Sequence, residues 1–307
     1  METSEIGTPA QTLKQPPVTV HETNGRAVAW QERTAPRPTV KIPSVTVHEY
    51  GRGVRLLIRC VALLVGLLAW QLAATIKISF LVSFENVPAP LEVVHALIPL
   101  LQGAEFYIHI AKSVQRILLA FSLAALLGVG LGILVGRYHI IEDMLSPHIE
   151  LLRPIPAIAW VPLAILVWPT EESSIIFITF LGAVFPIMMN TVHGVRQTPE
   201  VLVRAAQSLG AGPRAIFWHV VLAAALPSIT TGLAIGMGVS WFSLLAGEMI
   251  SGQHGIGYFT WTAYTLIEYD QIIIGMIAIG LLGTLSTAIV RGAMIPFLRW
   301  QTLGGQR

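Results

Sequence analysis

Long apolar runs, separated by short polar or charged segments, dominate the chain from about residue 54 onwards. A helix needs about 20 apolar residues to cross the hydrocarbon core of a bilayer. Six runs predict spans, of which the third is short and broken by Pro156 and Pro162, because proline removes a helical hydrogen bond. The predicted spans cover residues 54–76, 112–135, 155–168, 174–192, 215–245 and 272–290.

The composition supports a membrane protein. Of 307 residues, 54% are hydrophobic and 12% charged, with a mean hydropathy of +0.68, whereas soluble domains carry about a quarter charged residues. The sequence therefore predicts an all-α, polytopic membrane protein in contact with the lipid bilayer. A net charge of +2 gives no argument for a nucleic-acid partner. Cys60 is the one cysteine of this sequence, which excludes a disulfide within it.

The first 50 residues differ from the rest, since they contain six prolines and no long apolar run. Such a segment buries too little surface to offset its ordering entropy, so we expect 1–50 to be a disordered, Pro-rich cytoplasmic tail and 51–307 to form the membrane domain. It does not resemble a secretory signal. The sequence Val-Thr-Val-His-Glu occurs at 18–22 and at 45–49. It could add a strand to a partner's sheet, but a duplication without function is the simpler interpretation.

Lys and Arg are distributed unequally between the two sides of the predicted spans. The predicted outer loops at 169–173 and 248–270 contain none, whereas the tail and the predicted inner segments contain most of them. Because cytoplasmic loops are enriched in Lys and Arg, both termini are expected in the cytoplasm. The inner cations after the tail are Arg137, Arg153, Arg196, Arg204, Arg214, Arg291, Arg299 and Arg307.

A short amphipathic helix is predicted between the fourth and fifth spans, at about 198–210. Thr198 is a suitable N-cap, Pro199 suits the first helical position, and Gly210 suits the position after the helix. Such a helix could lie passively in the headgroup layer or dock into a groove of a soluble partner, and the caps at both ends favour docking. The apolar face comprises Val201, Leu202, Ala205, Ala206 and Leu209.

These residues resemble the EAA loop of ABC importer permeases. The resemblance covers about 55–297 and indicates the nitrate/sulfonate/taurine/bicarbonate branch. In this family the loop is the coupling helix that sits in a cleft of the ATPase. The matching patterns are Arg204-Ala-Ala-x-x-x-Gly210, Val220-Val-Leu-x-x-x-Leu226-Pro227, Gly232, Pro88-Ala-Pro90, Ser113-x-x-Arg116, Arg153-Pro-Ile-Pro156, Trp160-x-Pro162, Trp241, Glu248 and Gly255-Ile-Gly257-Tyr-Phe-x-Trp261.

The resemblance implies a six-span type I (MetI-like) permease fold, a homodimer in the bacterial inner membrane, ATPase subunits and a periplasmic or lipid-anchored solute-binding protein. Two residues depart from the family pattern: Arg204 stands where Glu is usual, and Ala223 where many members have a further proline. The charge at the coupling helix is thereby reversed. The residues expected to contact the ATPase are Arg204, Ala205, Ala206, Leu209 and Gly210.

No phosphate-binding loop, zinc-protease motif or hydrolase nucleophile motif occurs in the sequence. We therefore expect a translocation subunit without catalytic, cofactor or metal residues, with ATP hydrolysis on a separate subunit. Polar groups at membrane depth are candidate functional residues, and proline can kink a span. The candidates for gating or the translocation pathway are Pro227, Ser240, Trp241, Glu248 and Arg116.

The expected solute is a small oxyanion or sulfonate: nitrate, bicarbonate, taurine or an alkanesulfonate. Within the same class, the solute could instead be another small molecule such as a vitamin precursor. From another class, the chain could be an ATP-independent secondary transporter or channel, which should show inverted repeats or buried coupling charges. A third interpretation is a membrane scaffold that recruits a partner through its tail.

Overall fold

The computed structural model describes residues 52–77 and 86–298, and every regular element within these ranges is helical. The Pro-rich tail, its repeat and the C-terminal residues from 299 lie outside them. The elements are α1 (Arg52–Ile76), α2 (Pro90–Gln102), α3 (Ala104–Arg137), α4 (His139–Leu152), a 3-10 turn (Ala157–Trp160), α5 (Val161–Val167), α6 (Glu171–Arg196), α7 (Glu200–Ser208), α8 (Pro213–Ile216), a π turn (Phe217–Val221), α9 (Leu222–Ser251), α10 (Ile256–Thr265), α11 (Tyr269–Met294) and a 3-10 turn (Ile295–Leu298).

Five helical segments in the described ranges are long and apolar enough to cross a membrane. A sixth span results if α4 and the segment from Ala157 to Val167 count as one, and these two are bent by 86°. The predicted break at Pro156 is confirmed, whereas Pro162 lies in the first turn of α5 and does not break the segment. The sequence analysis placed that span at 155–168 and did not predict α4, whose 14 residues extend the broken element towards α3. The all-α membrane fold is confirmed.

Helix α6 is the centre of the bundle, with 13 of its 26 residues buried. It runs parallel to α3: a Cβ added at Gly132 would lie 2.5 Å from Cβ of Thr191, and one added at Gly136 would lie 2.8 Å from Cβ of Val195. Because glycine has no side chain, the two backbones approach closely here, as small residues allow in membrane bundles. Because α3 and α6 are parallel, the bent element between them must return the chain across the bundle.

Helix α9 packs antiparallel against α6 and also contacts α3. A Cβ added at Gly236 would meet Ile187 at 2.6 Å, and one added at Gly232 would meet Asn190 at 2.7 Å. Helix α11 then covers α9, where Trp241 joins an apolar cluster with Leu244 and residues of α3 and α6. The bundle therefore has one end formed by the starts of α3 and α6 and the end of α9, and an opposite end formed by the ends of α3 and α6.

Helix α1 differs from the other long helices, because no residue of its most apolar stretch is buried against the rest of the protein. It contacts the rest of the protein near its last turns, where Trp70 packs beside α2 and Gln71 Oε1 accepts a hydrogen bond from the backbone N–H of Leu91 at 3.3 Å. The exposed remainder is strongly apolar, as expected of a helix surrounded by lipid or by another membrane helix.

Helix α9 begins irregularly. The π turn at Phe217–Val221 precedes it directly, and Pro227 lies within its second turn. π turns within helices concentrate at functional sites, and proline leaves the carbonyl four residues earlier without its usual partner. The predicted kink at Pro227 stays a prediction.

Candidate functional site

The amphipathic segment after α6 forms α7, and it begins later than the sequence predicted. Thr198 was expected to cap the helix, but its hydroxyl donates to the carbonyl of Val195 at 3.0 Å. Pro199 has extended backbone angles and precedes the first helical residue, Glu200. The predicted N-cap at Thr198 is therefore wrong. The proline ring fixes the φ angle of Pro199. This residue therefore belongs to the extended connection between α6 and α7 rather than to the helix.

The end of α7 agrees with the prediction. Gly210 has φ +81°, its N–H donates to the carbonyl of Gln207, and the N–H of Ala211 donates to that of Ala206. This pair of bonds is the Schellman arrangement, which satisfies the last carbonyls of a helix. Helix α7 is thus closed firmly at its end before Pro213 starts α8.

Part of the exposed surface of α7 is apolar. Leu209 is 88% exposed and Val201 75% exposed, with Leu202 and Ala205 also exposed between them. Ala206 is half-buried and lies towards the protein. The predicted apolar face is therefore divided into an outward part and an inward part. We call the outward part, formed by Val201, Leu202, Ala205 and Leu209, the α7 surface.

Arg204, the residue that departs from the family pattern, pairs within α7. Its Nη2 donates to Oε2 of Glu200 at 2.6 Å, one turn earlier, and both side chains are about three-quarters exposed or more. Glu before Arg at this spacing is the favourable order along a helix. The reversed charge is therefore balanced inside the chain and adds no net charge to the surface.

Arg116 lies at the opposite end of the bundle and is buried. Its Nε and Nη2 donate to the two oxygens of Glu172 at the start of α6, at 2.8 and 2.5 Å. Its Nη1 donates to Glu248 Oε1 at 2.8 Å and to the carbonyl of His254. All three guanidinium nitrogens are thus engaged, and the paired fork with Glu172 is the strong form of such an interaction. We call Arg116, Glu172, Glu248 and Ser113 the ionic cluster.

Glu248 is 1% exposed and fully surrounded by donors. Besides Arg116, the Ser113 hydroxyl lies 2.8 and 2.9 Å from its two oxygens, and the N–H of Gly257 donates to Oε2 at 2.9 Å. A buried carboxylate is tolerated when it is paired and hydrogen-bonded in this way. Glu248 therefore joins the Gly-rich segment near it to α3, and through Arg116 to Glu172 of α6.

The ionic cluster also positions the start of α10. The N–H of Ile256 donates to Ser113 Oγ at 2.8 Å, and that of Gly255 donates to His109 Nδ1 at 3.0 Å. With Gly257, three successive backbone donors are thus satisfied by side chains of α3 and α9, as the open N-terminus of a helix requires. Gly255 has φ +124°, and a Cβ there would overlap the Glu248 carboxylate.

The other predicted pathway residues lie inside helix contacts. The Ser240 hydroxyl donates to the carbonyl of Gly236 at 2.9 Å, and Trp241 Nε1 donates to Ser286 Oγ at 2.8 Å. Ser240 is 0% exposed, and Pro227 is in the second turn of α9. The structure joins Arg116 and Glu248 directly, whereas Pro227 and Ser240 stand apart from them along α9.

A cavity of about 430 Å³ lies between α6, α9 and the broken element. Its wall includes Arg153, Trp160, Phe185, Phe242 and Ser243, and none of the five predicted pathway residues borders it. Its volume is in the range of small-molecule sites. Arg153, Pro156 and Trp160 belong to patterns that the sequence analysis had noted, but Ser243, His109 and Glu172 were not singled out as site residues. No local motif marks them, since His109 and Glu172 bond to residues far away in sequence and Ser243 packs against Gly182 of another helix.

A helical membrane bundle with a cavity between its helices and a capped helix exposed at one end is the architecture expected of a membrane transport component. The chain belongs to the family described as "Binding-protein-dependent transport system inner membrane component", which matches residues 128–296, a little more than half of the chain. The resemblance that the sequence indicated is thereby confirmed: the chain is a permease subunit of the ABC importer class.

Several relatives carry more specific names. A nitrate import permease protein of Synechocystis sp. is 36% identical over 234 residues, which cover 73% of this chain and 83% of the relative. A taurine transport system permease protein of Escherichia coli is 36% identical over 252 residues, covering 79% and 90%. A bicarbonate transport system permease protein of Synechococcus elongatus is 41% identical over 174 residues, covering 56% and 63%.

Proposed function

We propose that the chain forms the translocation pathway of an ATP-driven importer for a small oxyanion or sulfonate, and that α7 couples it to a separate ATPase subunit. The observation that carries this proposal is the α7 surface. A Leu that is 88% exposed and a Val that is 75% exposed stand on a short helix that is fixed at its end. Apolar groups held rigidly in this way favour a groove in a partner protein, because preorganisation lowers the cost of binding.

The solute class comes from the relatives' names. Nitrate, bicarbonate and the sulfonate of taurine share a compact, negatively charged group of oxygen atoms, and each of these names belongs to a relative at least 36% identical to this chain. We infer the same class for this chain. A solute-binding protein would deliver it, as the family description implies.

The orientation follows from the cations of the described helices. Arg137, Arg196, Arg214 and Arg291 lie at the bundle end that carries α7, and the opposite end has Lys112 and Arg116 near the start of α3. The positive-inside rule therefore supports a cytoplasmic α7 end with both termini on that side. A second copy of the chain completes the proposed assembly. The almost bare apolar surface of α1 offers area for it.

The coupling proposal is tested by co-purification of the tagged chain from its native host in mild detergent. Ala205→Glu places a charge in the middle of the α7 surface, whereas Gln207→Glu places the same charge on the other side of the same helix. We expect the wild type and Gln207→Glu to co-purify with a nucleotide-binding subunit. Ala205→Glu should recover at least ten-fold less of this subunit. A second, differently tagged copy of the chain in the same eluate tests the homodimer.

Two results would contradict the proposal. Equal recovery of the ATPase with both variants would show that the α7 surface does not contact the ATPase. Solute uptake into proteoliposomes by the purified chain alone, without ATP or any ATPase subunit, would make it a secondary transporter or channel. Expected instead is uptake that requires ATP, the ATPase and the binding protein together.

A further inference from the structure

Helix α4 has few contacts that hold it to the bundle. None of its residues is buried, and the side chains of Ile140, Met144 and Leu151 are each about two-thirds exposed or more. The single residue Tyr138 separates its start from the end of α3. Apolar packing within the chain therefore does little to fix the position of α4.

One ion pair joins α4 to the end of α6. Arg196 Nη2 lies 2.5 Å from Glu142 Oε2, and both residues border a small cleft between the two helices. The same nitrogen lies 3.5 Å from the carbonyl oxygen of Val135, near the end of α3. Within residues 52–77 and 86–298, no other ion pair or side-chain hydrogen bond connects α4 to α6. Arg196 thus holds the ends of three helices together.

On one side, this pair is close to the α7 surface. Arg196 is the last residue of α6, and only residues 197–199 separate it from α7. This connection is folded back onto α6, because the Thr198 hydroxyl donates to the carbonyl of Val195 at 3.0 Å. A displacement of α7 is therefore expected to displace Arg196 as well.

On the other side, the pair leads to the cavity between α6 and α9. Arg153 follows α4 directly, and it borders both the small cleft and the cavity. The next residues along the chain, including Pro156 and Trp160, form part of the same cavity wall. A movement of α4 is thus passed to the cavity wall through one short, bent connection.

We propose that the Glu142–Arg196 pair couples α7 to the broken element, so that nucleotide binding at the ATPase changes the wall of the cavity. The inference rests on the proposed function, because it takes α7 as the contact with the ATPase. Energetic coupling between distant sites can run through ion pairs that join rigid elements. Glu142 and Arg196 are then positioning residues, which act through α4 and not by contact with the solute.

A coupling role differs measurably from a stabilising one. The Arg196 side chain is 42% exposed and that of Glu142 26% exposed, and ion pairs open to solvent contribute little to stability. Loss of the pair should therefore leave the unfolding temperature and the recovery of the ATPase nearly unchanged. The response of the cavity wall to nucleotide should be lost.

The test uses the complex of the tagged full-length chain with the ATPase that co-purifies with it. In a Cys60→Ser background, Ile155→Cys places a thiol on the broken element, where Ile155 borders the cavity and is 39% exposed. Its rate of labelling by N-ethylmaleimide is measured without nucleotide and with a non-hydrolysable ATP analogue. Glu142→Arg breaks the pair, and adding Arg196→Glu re-forms it with the charges exchanged.

Asp143→Arg is the matched control. It makes the same change of charge one residue later on α4, at an exposed position that borders neither the cleft nor the cavity and forms no ion pair with a described residue. We expect the analogue to change the labelling rate at least three-fold in the unaltered pair and in Asp143→Arg. Glu142→Arg should show less than a 1.5-fold change, and the exchanged pair should regain at least half of the response.

Four results would overturn the inference: a normal response in Glu142→Arg, loss of the response in Asp143→Arg as well, no recovery in the exchanged pair, or no response with the pair intact. If Glu142→Arg does not accumulate, Arg196→Gln takes its place. The recovery of the ATPase separates this inference from the proposed function. Absence of an ATPase from the wild-type complex argues against the function, whereas a bound ATPase with a normal response in Glu142→Arg argues against the coupling pair alone.

Discussion

The two ends of the bundle differ in the burial and pairing of their charged and apolar side chains. At one end, the ionic cluster buries two charges completely and gives each of them several partners, among them the Arg116–Glu248 contact at 2.8 Å. At the other end, α7 leaves Leu209 almost fully exposed and pairs its own charges with each other. Buried charged groups that are paired and hydrogen-bonded favour one arrangement of the helices, whereas exposed apolar groups are available for contact with another protein. The comparison indicates which end stabilises the fold, and it supports the proposal that the other end binds another protein.

The largest effect is expected when the ionic cluster loses one partner. Glu248→Ala leaves the buried Arg116 and the backbone donor of Gly257 without their carboxylate, and breaking a buried ion pair on one side costs about 3–5 kcal/mol. Thermal unfolding of the purified chain in detergent, followed by size-exclusion chromatography, measures the loss. Glu248→Gln is the control: its amide oxygen can still accept a hydrogen bond from Gly257 or from Arg116, so a smaller loss is expected. Equal, mild effects of the two changes would show that the charge does not hold this end together.

A single type of change applied at both ends compares them directly. Gly255→Ala and Gly210→Ala both place a side chain at positive φ, which costs about 1–3 kcal/mol at such positions. At Gly255 the new Cβ also overlaps the Glu248 carboxylate, whereas at Gly210 nothing lies within 4 Å. Gly255→Ala should therefore lower the unfolding temperature more than Gly210→Ala does. The reverse order in the same assay would mean that the start of α10 moves easily away from the ionic cluster.

The smallest effect is expected at the α7 ion pair. Arg204→Ala removes an exposed pair of the i,i+4 type, which contributes about 0.3–0.5 kcal/mol in helices and is screened by salt. The unfolding temperature should be nearly unchanged, and any difference from wild type should vanish at about 1 M salt, where screening acts within a few ångströms. A large, salt-insensitive destabilisation would reveal a structural contact of Arg204 beyond Glu200.

The sequence predicted the helices well because the bilayer sets their length and composition, and the broken third span because Pro156 was visible. It predicted the C-terminal cap of α7 from Gly210, since glycine adopts a positive φ without a steric cost. It failed at Thr198, where two adjacent residues could each have started the helix. The ionic cluster needed tertiary structure: Arg116 and Glu248 were both noticed, but 132 positions separate them, and no periodicity indicates that they meet.

The cavity escaped the sequence analysis for a related reason. Ser243 and Ser240 are equally polar positions on one apolar helix, and a helical pattern alone does not tell which hydroxyl returns to its own backbone. The difference depends on Gly182, a residue of another helix that leaves space for one of them. Sequence patterns thus identified the helices and several residues around the cavity, while the role of each polar group depends on its neighbours in space.

Helix α6 has a mechanical consequence for both ends. Its first turn contains Glu172 of the ionic cluster, and the helix continues through Pro186 to Arg196, with three residues between it and the start of α7. With a rise of about 1.5 Å per residue, its 26 residues form a rod about 39 Å long. If α7 is displaced while α6 stays straight, a tilt of about 5° moves the far end by about 3 Å over that length. A displacement of α7 would thus be transmitted along α6, past Pro186, towards the ionic cluster.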